Sequence, residues 1–146
     1  WRLQDGLLLA DLGSGVLVTR QSYQDFQLKV DFWVDPTANS GIYVRCTDLQ
    51  NITATNAYEV NIYDQRPDPS YGTGAIVDVA KVSPMPKAGG QWNSYDITFK
   101  GDRMVVYLNG EKTVETRDSR LSAAGPIALQ YEKGVVRFRN VRIKAL

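Results

Sequence analysis

Tyr58-Glu59-Val60-Asn61-Ile62-Tyr63 is the stretch on which the reading of this chain turns. Side chains alternate along a strand, so Tyr58, Val60 and Ile62 share one face while Glu59, Asn61 and Tyr63 share the other. Ile42-Tyr43-Val44-Arg45-Cys46 repeats the pattern, with Ile42, Val44 and Cys46 apolar and Tyr43 and Arg45 opposite them. Ile127 to Gln130 reads the same way. The expectation is a sheet with one face against a core and one face of acids, amides, a guanidinium and phenols. Such a face suits a sugar, which needs hydrogen-bond partners for its hydroxyls and flat rings for its C–H surfaces.

Working outward, period-two alternation recurs along the chain and no sustained 3.6-residue stripe appears. Phe26, Leu28, Val30, Phe32 and Val34 alternate with Gln27, Lys29, Asp31, Trp33 and Asp35 until Pro36. Tyr95, Ile97 and Phe99 lead a further strand. Asn109-Gly110 separates Val105–Leu108 from Glu111–Val114, and both residues tolerate positive φ, which predicts a two-residue hairpin turn. In the last strand, Val136 and Phe138 fall on one parity and Val141 and Ile143 on the other, which predicts a bulge at Arg139-Asn140. Two Pro- and Gly-rich stretches, 65–74 and 82–90, read as ordered loops. About ten short strands without helices predict an all-β, two-sheet antiparallel sandwich.

Composition narrows the function classes. The 146 residues suit one domain that buries roughly 68% of its unfolded surface. Seventeen basic and sixteen acidic residues give a net charge of +1, with no long block of either sign, so no nucleic-acid or anionic-membrane footprint is expected. No apolar run approaches the ~20 residues of a bilayer span. The single cysteine, Cys46, excludes an intrachain disulfide and reads as a buried small hydrophobe. The chain has no histidine, so acid–base chemistry falls to carboxylates, tyrosine or lysine.

Five stretches, in one order, carry a family resemblance: Trp1-Arg2-Leu3-Gln4-Asp5-Gly6 with Leu17-Val18-Thr19; Asn39-Ser40-Gly41-Ile42-Tyr43-Val44-Arg45; Tyr58-Glu59-Val60-Asn61-Ile62; Thr73-Gly74-Ala75-Ile76; and a tail from Gln91-Trp92-Asn93-Ser94-Tyr95 through Leu108-Asn109-Gly110 and Gly125–Gln130 to Phe138–Ile143. With these the chain resembles the 3-keto-disaccharide hydrolase family, formerly a domain of unknown function. The resemblance implies a concanavalin A-like jelly roll spanning residues 1–146 as one domain, without the segment that opens the family pattern. It also implies a secreted or periplasmic bacterial protein that handles sugars oxidised at the 3-hydroxyl. The ketone acidifies the C2 proton, a base removes it, the glycosidic group leaves from C1, and water adds back. Several family members are thought to use a divalent metal to hold the developing enolate, so a metal is one candidate cofactor. Where many members carry a histidine, this chain reads Tyr131-Glu132-Lys133, a departure that keeps a non-catalytic carbohydrate-binding role as the alternative.

The candidate residues follow. Glu59 is the candidate base or ligand, or else half of a structural ion pair with Arg45. Asp64 is its candidate carboxylate partner, or else a cap on the turn that follows it. Tyr43, Arg45, Asn61, Tyr63, Gln130 and Tyr131 are the candidate sugar contacts. Trp33 is a further stacking candidate, Asp78 is either a buried acid or an exposed one, and the cluster Arg137, Arg139, Arg142 and Lys144 reads as a solvated strand face. An edge strand offers a place for a second copy to pair.

Overall fold

The computed structural model describes residues 1–146 and is built of strands, with one 3-10 turn at Pro69–Tyr71 and no α-helix. The strands are β1 (Arg2–Gln4), β2 (Leu7–Ala10), β3 (Gly15–Tyr23), β4 (Phe26–Val34), β5 (Asn39–Val44) and β6 (Tyr58–Ile62). They continue with β7 (Trp92–Lys100), β8 (Arg103–Leu108), β9 (Glu111–Arg117), β10 (Gly125–Lys133) and β11 (Val136–Ala145). A seven-stranded sheet has the order β1-β2-β11-β4-β7-β8-β9, and a four-stranded sheet the order β3-β10-β5-β6. Every pairing is antiparallel. The two sheets stack as the jelly-roll sandwich expected from the sequence.

Between them lies the core formed by alternate residues. Phe26, Leu28, Val30, Phe32 and Val34 of β4 are buried, as are Tyr95, Ile97 and Phe99 of β7, and they face Ile42, Val44, Tyr58, Val60 and Ile62 of the smaller sheet. Phe26 stacks on Phe99 at 5.5 Å and Tyr58 tilts against Phe99 at the same separation. Each such side chain contributes about 1.5–3 kcal/mol on leaving water. The hairpin turn forms as expected, with φ of 53° at Asn109 and 81° at Gly110. The β11 register slips between Arg139 and Arg142 against β4, and Asn140 takes φ 55°, which is the expected bulge.

One feature prepares the site. β6 ends its sheet, yet its outer edge is not free: Asn61 N–H donates to the Ala75 carbonyl (3.0 Å), Gly74 N–H to the Asn61 carbonyl (3.2 Å) and Val77 N–H to the Glu59 carbonyl (2.9 Å). From the opposite sheet the Tyr95 phenol reaches across the core, donating to the Asn61 carbonyl at 2.5 Å and accepting from Gly74 N–H at 2.8 Å. The strand bearing Glu59 is thereby held on both sides.

Candidate functional site

Registers on the smaller sheet set two cross-strand rows on the face away from the core. One runs Val16, Gln130, Gly41, Asn61; the next runs Val18, Ala128, Tyr43, Glu59. Gly41 is the residue that makes room. A Cβ there would lie 3.2 Å from Glu59 Oε1, from the Gln130 amide and from the Val60 carbonyl. With no side chain at that node, the Glu59 carboxylate leans toward Gln130.

Glu59, Tyr43 and Gln130 therefore come together. The Gln130 amide nitrogen lies 3.3 Å from Glu59 Oε1 and 3.1 Å from the Ser40 carbonyl, two acceptors that fix the amide's orientation, while its oxygen lies 3.2 Å from the Tyr43 hydroxyl. Glu59 is 7% exposed. Burial pushes its carboxyl up to about 7, against the opposing pull of the Arg66 guanidinium and a hydrogen bond from Tyr43, while the charge of Asp78 raises it further. Burial and the Glu59 carboxylate push the Tyr43 phenol well above its ordinary range, so it stays a neutral donor. Beside this cluster a groove of about 450 Å³ opens between Ser14–Val16, Leu49–Ile52 and the Gln130–Glu132 end of β10, with Tyr43 and Gln130 in its wall.

Other expected members lie elsewhere. Arg45 does not share the face of Glu59. β5 ends at Val44 and Arg45 takes φ 51°; alternation holds only while the backbone stays extended, so this one residue reverses the phase. Arg45 turns into the core, 1% exposed. It donates to the carbonyls of Gln24 (2.8 Å) and Leu121 (3.0 Å) and to Asp25 Oδ1 (3.3 Å), with its guanidinium 5.5 Å from the centre of the Phe99 ring. Its partner is Asp25, not Glu59. The same reversal moves Cys46 onto the Tyr43 side, packed with Ala57 and Ala128, where burial raises its thiol to about 11. It is a buried small residue, as expected, on the face opposite to the one expected.

Tyr131 also faces the core rather than a sugar. Next to outward-pointing Gln130, it packs into the main cluster and donates to the Gly134 carbonyl at 2.7 Å. Asn61 does share the face of Glu59, but both ends of its fully buried amide are committed: Nδ2 donates to the Tyr71 carbonyl (2.9 Å) and Oδ1 accepts from Ile62 N–H (3.0 Å). Asp64 ties the two Pro-rich loops together, accepting from the Thr73 hydroxyl (2.7 Å) and from the amides of Ala88 (3.0 Å) and Gly89 (2.9 Å). It makes no hydrogen bond to the turn that directly follows it and serves as a bridge between loops, and, like Glu59, it is not among the residues that line the groove. Tyr63 is half-buried at the mouth of the first loop. Asp78 is exposed, at φ 59°. Trp33 lies on the other sheet altogether, under the Arg137 guanidinium at 4.8 Å.

Sequence reasoning missed three contributors. Gly41 carries no chemistry of its own, and its meaning emerges only from the two rows that flank it. Arg66 lies in a loop without periodicity. The 49–52 wall has no periodic pattern, although Leu49, 51% exposed, is an apolar residue left in the open beside a polar face.

A divalent cation held by the protein would need several oxygen or imidazole ligands converging on one point. Around Glu59 the donors are one carboxylate, one amide and one phenol, and nowhere do three His, Cys, Asp or Glu side chains converge. This donor set does not fit a protein-held metal.

A two-sheet jelly roll, here with an acid, an amide and a phenol gathered on the outer face of one sheet, is an architecture shared by glycosyl hydrolase-like and carbohydrate-binding proteins of solved structure. Solved structures agree. A glycosyl hydrolase-like protein from Parabacteroides distasonis superposes with a TM-score of 0.88 at 28% identity, covering 100% of this chain and 90% of that one. A second from the same organism has the same TM-score at 21% identity, covering 100% and 83%. A carbohydrate-binding module, CBM66 from Bacillus subtilis, shares the fold at 18% identity and a TM-score of 0.73, covering 96% of each chain. No curated protein sequence matches the chain. The family described as the 3-keto-alpha-glucoside-1,2-lyase-like domain matches residues 1–144, and the chain belongs to it.

Proposed function

We propose that the chain cleaves 3-keto-glycosides by elimination, with Glu59 as the base. The observation that supports this most directly is a carboxyl lifted by burial to about 7. Near neutral pH such a group is both substantially ionised and basic enough to take a carbon-bound proton, which an ordinary exposed glutamate is not. Family membership supports the choice of substrate class, a sugar whose 3-ketone has already acidified C2.

The reaction uses residues already in contact. Glu59 takes the C2 proton, and the C–H electron pair moves into a C2–C3 double bond as the C3 oxygen becomes an enolate. That negative charge is met by neutral donors, the Tyr43 hydroxyl or the Gln130 amide. The enolate then collapses, forming the C1–C2 double bond as the C1–O bond breaks, and the departing oxygen receives a proton, with the Glu59 carboxylic acid as the nearest supply. Addition of water across C1–C2 completes the net hydrolysis. Arg66 lowers the cost of the ionised base, and the groove beside Leu49–Ile52 receives the leaving group.

The test pairs a 3-keto-disaccharide with its unoxidised parent. Turnover of the keto sugar alone, lost in Glu59→Gln, is the expected result. Saturable binding of either sugar with no product under any condition would overturn the catalytic reading and leave a binding module.

A further inference from the structure

On the far side of the molecule, the outer face of the seven-stranded sheet carries a charge pattern that the chain's net charge of +1 conceals. One cross-strand row runs Arg142, Lys29, Asp96, Tyr107, and the next runs Lys144, Gln27, Thr98. Arg142 and Lys29 are directly opposed cations, an arrangement that costs stability unless something negative lies near. Where the same sheet opposes Arg103 to Arg117, the chain supplies that relief: Glu115 lies 2.7 Å from Arg103 and Asp102 lies 2.6 Å from Arg117. At Arg142 it does not. Arg142 and Lys144 have no carboxylate within salt-bridge distance, and Asp96 stands 4.0 Å from Lys29 while also accepting from Gln27 at 2.9 Å.

Beside these cations is a concavity of about 390 Å³, bounded by Lys29, Asp31, Ser94, Asp96, Tyr107 and Arg142. Tyr107 is 39% exposed and presents a flat ring. The floor is stiff: Arg139 lies over the Trp92 ring at 3.7 Å and pairs with Asp31 at 3.5 Å, and Asp31 accepts from Ser94 at 2.7 Å and Asn140 at 2.9 Å. Unpaired cations at one edge, carboxylate and hydroxyl acceptors on the floor and a phenol at the other edge match a ligand that has negative groups, hydroxyls and C–H faces together. A bare polyphosphate would meet Asp31 and Asp96 unfavourably.

We propose that this face is a second ligand surface, distinct from the Glu59 groove on the opposite sheet, and that it holds a carboxylated or sulfated saccharide. The assay is fluorescence anisotropy with a labelled oligogalacturonate, using pullulan as a neutral competitor. Saturable binding is expected at about 50 mM salt, weakening steeply toward about 200 mM as counterion release requires. The double variant Arg142→Ser/Lys144→Ser loses at least about tenfold in affinity, with unchanged circular dichroism; Glu59→Gln binds as the parent does, and pullulan does not compete. The inference is overturned if oligogalacturonate fails to bind at low salt, if the double variant binds as tightly as the parent, if Glu59→Gln abolishes binding, or if a single-stranded DNA of similar charge binds equally well, which would make the face a general anion surface.

Discussion

Replacing Glu59 by glutamine tests the burial on which the site depends without any substrate. In the folded chain the carboxyl titrates at about 7, against 4.5 for an unperturbed glutamate. A raised folded value means that between these two limits the unfolded chain releases the proton first. Stability is then fully present below about pH 4.5 and is lost as pH rises toward 7, after which the loss is constant. At about 1.36 kcal/mol per pH unit, the gap amounts to about 3 kcal/mol, undiminished by solvent because the group is buried. Glutamine has nearly the same shape and no charge to desolvate. Glu59→Gln is therefore expected to match the parent near pH 4.5 and to exceed it by up to about 3 kcal/mol at pH 8.5. Urea titrations at the two pH values measure this directly: for slopes of about 1–3 kcal/mol per molar, the midpoint of the variant moves up by about 1–3 M at the higher pH only. A stability difference that is the same at both pH values, or that favours the parent at pH 8.5, refutes the argument that burial sets this group's acidity.

Three further expectations follow from single contacts. Tyr43→Phe removes the hydrogen bond that favours the ionised form of Glu59, so the rising limb of kcat/KM against pH on a 3-keto-glycoside moves to higher pH. A limb that stays in place separates Tyr43 from the base. Arg45→Met strips three hydrogen bonds from a guanidinium within the core and leaves two carbonyls without a donor; a loss of about 3–5 kcal/mol in chemical denaturation is expected, whereas a purely catalytic defect in a fully stable variant would contradict the placement. Gly41→Ala inserts a methyl 3.2 Å from Glu59 and Gln130 and is expected to cut turnover at least tenfold while costing about 1–3 kcal/mol of stability; full activity would show that the carboxylate does not use the space above the glycine.

Much of the sandwich was legible because its strands are half-buried and strictly extended. Phe26 to Val34 alternates without interruption, Asn109-Gly110 has the left-handed freedom its turn requires, and the slip at Arg139-Asn140 shows itself as a change of parity. The same rule failed at Arg45 because one left-handed residue, invisible in the apolar pattern, reversed the phase and exchanged Arg45 with Cys46. Within the site, Glu59, Tyr43 and Gln130 were readable from parity alone. Asn61 was readable from the same parity, but its Nδ2 is taken by the Tyr71 carbonyl, and Asp64 by Thr73, Ala88 and Gly89, groups of loops that only the folded chain brings near. The cluster Arg137, Arg139, Arg142 and Lys144 was readable as a strand face, but which of its cations lack a carboxylate partner depends on cross-strand neighbours that only the fold supplies.

The wall beside Glu59 is fastened to β6 by main-chain bonds from Gly74, Ala75 and Val77, with the Tyr95 phenol clamping the same strand from behind. Backbone tethering of this kind is indifferent to what the wall's outward side chains are. Substitutions at exposed Asp78, limited to residues that tolerate its φ of 59°, therefore alter the charge felt by the carboxylate without unfastening the strand that carries it. The scaffold separates the part that must not move from the part that evolution is free to retune.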